Sequence, residues 1–166
     1  MNHLHFVVGL TFLALVARPV TAQTVKGRVL SVEDGDKLLV MTETKQRVRV
    51  RIAGIDAPES GQRFSVTAKD HLSRLVLSQQ VVVQGTKKDR YGYTVGKVLI
   101  GETDVGLELV RAGYAWHFKR YEVEQNKSDR EHYAEAQQTA RKKRRGLWQD
   151  ASPVPPWDWS EGKRNK

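Results

Sequence analysis

From Val25 onward, apolar and polar positions alternate in short runs, a period of two that predicts β-strands. The first run is "VKGRVLSV" (25–32). Glu33-Asp34-Gly35-Asp36 then supplies an Asp-Gly hairpin signal, and "KLLVMT" (37–42) is the second run. The third, Gln46 to Ile52, alternates strictly. Val48, Val50 and Ile52 share one face, and Arg47, Arg49 and Arg51 share the other. The apolar face belongs to a core. The arginine face by itself reads as a solvated strand surface.

The period then changes. "GIDAPESG" (54–61) is a loop. Ser65 is expected to cap a helix of about 13 residues, with Ala68, Leu72, Leu75 and Val76 on one face. "QVVVQG" (80–85) and "TVGKVLI" (94–100) return to strand. Thr103 or Asp104 caps a short helix that Gly113 stops. Ser128-Asp129-Arg130-Glu131 has the form of a capping box; its helix turns Tyr133, Ala136 and Ala140 inward and stops at Gly146. The proline-rich, basic tail (151–166), with "SPVPPWDW", is expected to be extended. Five strands, one helix between the third and fourth, and two helices after the last predict a mainly β chain with α. The order fits a five-stranded, partly open OB-fold barrel with three helices, an architecture that commonly binds oligonucleotides.

The N-terminus follows another logic. "FVVGLTFLALVA" (6–17) is too short to span a bilayer comfortably, and Val20-Thr21-Ala22 is a small-x-small pattern. Residues 1–22 are expected to be a signal peptide, leaving a domain at 23–150 and the tail. The alternative is an uncleaved anchor. The chain is expected to be exported, periplasmic or secreted, and monomeric, with no stable membrane association after cleavage. There is no cysteine, which excludes disulfides, thiolate metal sites and a cysteine nucleophile.

Charge narrows the partners. The leader holds one of the 28 basic residues, Arg18, and none of the 19 acidic ones, so the formal charge of +9 becomes +8 without it. A basic exported domain suits a polyanion: nucleic acid, an acidic polysaccharide or a membrane surface. The run Arg141 to Arg145 suits a helix C-terminus and adds nonspecific phosphate attraction. Tyr114, Trp116, His117 and Phe118 are expected mainly in the core, although an exposed ring can stack on a base.

Polar groups concentrate at three strand ends. Asp36 and Asp56 together would make a hard oxygen site for Ca²⁺ or Mg²⁺, yet spacing alone favours turn and loop roles for both. Arg51 is a candidate phosphate clamp or one more surface charge. Glu59 is a candidate general base or a glutamate flanking a helix N-terminus. "DRYGY" (89–93) reads as a tight turn with groups suited to a phosphate.

"VLSVEDGDKLLV", "RVRIAGIDAPES", "DRYG", "ELVRAGYAW" and "ARKKRRGLW", in this order, resemble the thermonuclease family of staphylococcal-nuclease-like enzymes over nearly all of residues 25–150. The resemblance implies an OB-fold barrel with three helices and Ca²⁺-dependent hydrolysis of DNA and RNA. It implies calcium ligands at Asp36, Asp56 and the Ala57 carbonyl, a phosphate-binding arginine at Arg51 and a general base at Glu59. It also implies nucleotide contacts at Arg90, Tyr91 and Tyr121, and a metal-flanking position at Lys37, where the family commonly has threonine.

Tyr93 departs from the pattern, standing where the family places its second catalytic arginine. A phenol donates one hydrogen bond but carries no charge near neutral pH. Either a nearby cation (Arg90, Lys88 or Lys97) substitutes, or Tyr93 donates and activity falls, or the domain binds nucleic acid without catalysis. Retention of both aspartates and Glu59 favours a nuclease. The rivals are a silent OB-fold nucleic-acid-binding protein and an exported protein acting on cell-surface polysaccharide.

Overall fold

The computed structural model describes residues 24–164; the expected leader, 1–22, lies outside them. The chain runs β1 (Thr24–Asp34), β2 (Lys37–Thr42), β3 (Arg47–Ile52), a short β4 (Ile55–Asp56), α1 (Ser65–Val76), β5 (Gln80–Lys88) and β6 (Thr94–Ile100). A short β7 (Thr103–Asp104), α2 (Val105–Ala112), a short β8 (Trp116–His117), α3 (Lys127–Lys142) and α4 (Pro156–Arg164) follow. 3₁₀ turns occupy Lys119–Glu124 and Gly146–Gln149.

The main sheet has the order β3-β2-β1-β5-β6-β7, and β3 also pairs in parallel with β6, with Arg51 opposite Val95. That pairing closes β1, β2, β3, β5 and β6 into a five-stranded OB-fold barrel, where the sequence predicts a partly open one. Val50 and Ile52 are fully buried inside it, as the alternation requires. Leu72 and Val76 of α1, Leu109 and Val110 of α2, and Tyr133 of α3 complete the core. Each such aliphatic side chain contributes about 1.5–3 kcal/mol through burial. The Tyr133 hydroxyl donates to Asp104 at 2.8 Å, tying α3 to the Asp104 that caps α2.

Three local expectations are corrected. Ser65 does not cap α1; Phe64 precedes the helix with φ 68°, and Ser65 donates its N–H to the Gln62 carbonyl. The cap of α3 is Asn126, which accepts from the Asp129 N–H at 2.8 Å, and the helix ends at Lys142 rather than at Gly146. The tail is helical from Pro156, not extended. Proline suits the first helical position because its missing N–H would have no partner there, and Asp158 in the first turn favours the helix dipole.

Candidate active-site cleft

Backbone pairing brings the polar strand ends together. Asp34 and Lys37 pair across the first hairpin, Lys37 lies opposite Arg51 on β3, and the Ile52 N–H donates to the Asp36 carbonyl at 3.0 Å. Gly54, with φ 72°, turns the chain from β3 into β4, where Asp56 pairs with Trp116 of β8. Asp89 shapes the turn between β5 and β6: its side chain accepts from the Tyr91 N–H (2.9 Å) and the Tyr93 N–H (3.0 Å). Gly92 takes φ 82° to complete the bend.

These ends line one cleft of about 640 Å³, together with Lys37, Lys87, Lys88, Glu124 and α4 residues Trp157 and Ser160. Asp36, Arg51, Asp56, Glu59, Arg90, Tyr91, Tyr93 and Tyr121 all border it. Ala57 is buried beside it. Tyr91 and Tyr121 expose their rings, and the Arg51 guanidinium lies 5.3 Å above the Tyr121 ring centroid. Of the cations considered as substitutes for an arginine at position 93, Lys88 and Arg90 line the cleft. Lys97 does not, and is paired with Asp129 (2.7 Å) and Asp104 (3.2 Å).

The acidic end of the cleft is electrostatically strained. Burial pushes the carboxyl pKa of Asp36 up, and Asp34 adds to it. Burial, then the charges of Asp36 and Glu59, push Asp56 up to about 8. Asp36 Oδ1 is buried and faces the Lys37 ammonium. Lys37 Nζ lies 3.1 Å from that oxygen, 3.3 Å from Asp34 and 3.8 Å from Glu59. Burial works against the Lys37 charge, but these carboxylates hold its pKa above the ordinary lysine value. A hard divalent cation fits such a pair, because it relieves both the burial cost and the like-charge repulsion. Among the described residues no group of three His, Asp or Glu converges to hold a metal. The two aspartates would therefore need a main-chain carbonyl and water beside them.

At the basic end, Arg51 is held by Glu124 (2.9 Å) and Asp89 (3.4 Å). Glu124 gives no sequence signal of this role, since it lies in a 3₁₀ turn far along the chain. Tyr93 is buried, its hydroxyl donates to Glu33 at 2.8 Å, and Arg49 contacts the same hydroxyl. Arg49 also pairs with Glu33 at 2.8 Å. Arg49, read from the sequence as a surface charge, is thus part of the Tyr93 surroundings; its place on the Arg51 face was the available signal.

Glu59 is positioned through Gln62. The Glu59 N–H donates to Gln62 Oε1 (3.0 Å), and Gln62 Nε2 donates to the Val154 carbonyl (2.6 Å). Gln62 is buried and links the loop carrying Glu59 to the C-terminal segment. Trp116, His117 and Phe118 are core residues, as expected.

Residues 49–150 match the family described as staphylococcal nuclease homologue. The chain is 38% identical over 146 residues to an uncharacterised endonuclease of Escherichia coli, covering 87% of this chain and 91% of the relative. It is 36% identical over 149 residues to a micrococcal nuclease of Shigella flexneri, covering 84% of this chain and 83% of the relative. It is also 35% identical over 161 residues to Protein ParB of Escherichia coli, covering 92% and 88%.

Proposed function

The chain belongs to the staphylococcal nuclease homologue family, and from that premise we propose that it is an exported, metal-dependent endonuclease. It hydrolyses phosphodiester bonds of DNA and RNA with little sequence preference and leaves 3′-phosphate ends. The observation that carries this reading is the convergence of Asp36, Asp56, Glu59 and Arg51 on one cleft.

Asp36, Asp56 and the Ala57 carbonyl would hold Ca²⁺ or another hard divalent ion, which when bound neutralises phosphate charge and polarises water. Glu59, kept in place by Gln62, orients the attacking water and takes its proton. The water oxygen bonds to phosphorus, the bond to the 5′ oxygen breaks with its electron pair going to that oxygen, and the leaving alkoxide takes a proton from solvent to become a hydroxyl. Arg51 exchanges Glu124 and Asp89 for the phosphate, which it can grip with two parallel hydrogen bonds. Arg90 and the exposed rings of Tyr91 and Tyr121 receive the adjoining nucleotide. The leader pattern (1–22) supports export.

A second reading is a nucleic-acid binder with weakened catalysis. It draws on Tyr93, whose hydroxyl is already engaged by Glu33 and Arg49. Incubation of the purified protein with labelled single- and double-stranded DNA and RNA, with Ca²⁺ or chelator, separates the two. Metal-dependent products ending in 3′-phosphate are expected from the nuclease. Retained binding with no products under any divalent ion supports the second reading.

A further inference from the structure

Next to the cleft lies a second groove, of about 370 Å³. Phe118, Arg120 and Trp157 line both spaces, so the groove continues the cleft rather than standing apart from it. At the junction the Trp157 ring stacks on Phe118, with centroids 4.8 Å apart and planes 13° from parallel. Trp157 is contributed by α4, and the segment before that helix is tied down by the Gln62 bond to Val154.

The groove itself is basic. Lys119 and Arg120 are exposed and have no ion-pair partner among the described residues. Arg141 borders it from α3 and stacks on Trp148, 4.2 Å from that ring's centroid. Its guanidinium therefore faces aromatic surface and not a carboxylate. Cations beside an aromatic junction suit single-stranded nucleic acid, which offers phosphates and unpaired bases at once; a duplex hides its bases, and an acidic polysaccharide has no bases to stack.

We propose that this groove is a subsite for the single strand flanking the phosphate held in the cleft, with Lys119, Arg120 and Arg141 taking backbone phosphates and Trp157 guiding the strand across the junction. This rests on the nuclease reading of the cleft and extends it to substrate length.

The test is binding of labelled oligothymidylates to the full chain carrying E59Q, followed by fluorescence anisotropy. An octanucleotide is expected to bind at least about tenfold more tightly than a dinucleotide, since only the longer strand brings backbone phosphates to Lys119, Arg120 and Arg141. K119E should remove most of that length dependence while leaving dinucleotide affinity nearly unchanged. R141Q is a second variant, compared with wild type for its melting temperature. Equal affinity for both lengths, or length dependence that survives K119E and R141Q in folded protein, overturns the subsite. So does dextran sulfate that displaces the octanucleotide as well as unlabelled octanucleotide does. Octanucleotide binding sensitive to K119E without dinucleotide binding keeps the groove and counts against the cleft reading.

Discussion

The guanidinium of Arg49 lies over the ring of Tyr93, 4.0 Å from its centroid, and Glu33 accepts hydrogen bonds from both side chains. The phenol's pKa is raised, by burial and then by the bond to Glu33, so it remains a neutral donor already in use. Glu33 is shifted the other way, its carboxylate favoured chiefly by Arg49.

Removing this hydroxyl therefore costs structure rather than chemistry. Tyr93→Phe is expected to lower stability by about 1 kcal/mol and to leave the single-turnover cleavage rate nearly unchanged. Tyr93→Arg is expected to raise that rate by about 10–100-fold, by adding a charged donor beside the cleft. A marked loss with Phe would show that the hydroxyl serves the phosphate. No gain with Arg would show that another cation already does.

Lys37 Nζ lies 3.1 Å from Asp36 and 3.8 Å from Glu59, where it would compete with the proposed cation for both carboxylates. Lys37→Thr is expected to tighten Ca²⁺ binding about tenfold, or about 1.4 kcal/mol, read by calorimetry and by the Ca²⁺-induced rise in melting temperature. Unchanged Ca²⁺ affinity would mean the ammonium moves aside at no cost.

Gln62 joins the Glu59 loop to Val154. Gln62→Ala leaves two polar backbone groups without this partner and should cost about 1–3 kcal/mol. It should also lower kcat more than it raises KM, because Glu59 loses its placement. A melting curve and steady-state kinetics check both.

His117 supplies a pH signature. Burial lowers its pKa below the ordinary 6.5, so the folded state holds it neutral while the unfolded chain takes a proton below that value. The unfolded state then binds more protons, and stability falls as pH drops below about 6.5, by at most about 1.4 kcal/mol per pH unit, until the folded histidine itself titrates. His71 is lowered as well, and the raised carboxyls of Asp36 and Asp56 act in the opposite sense. The histidine's share is the difference between wild type and His117→Gln in urea unfolding from pH 7.5 down to about 5.

Much of the barrel was legible because Val50 and Ile52 on one face, and Arg49 and Arg51 on the other, follow a period that only a strand can satisfy. Closure of β3 onto β6 was not, since parallel pairing joins segments distant in sequence and leaves no local trace. The prolines predict an extended tail, yet Pro156 starts a helix that carries Trp157 to the cleft, a placement with no local signal in the sequence. Spacing alone favoured turn roles for Asp36 and Asp56; family resemblance, not periodicity, singled them out. Arg49 and Glu33 escaped because they meet Tyr93 across 44 and 60 residues of chain. Such contacts become visible only once the strands are in register.

The most direct measurement of the central claim is cleavage of a labelled oligonucleotide by wild type, Glu59→Gln and Asp36→Asn, prepared in parallel, each with Ca²⁺ and with chelator. Wild type should cut only with the metal, and both variants should fall by about 10²-fold or more while still folded. Cleavage that persists in Glu59→Gln, or that is indifferent to chelator, would contradict catalysis at this cleft.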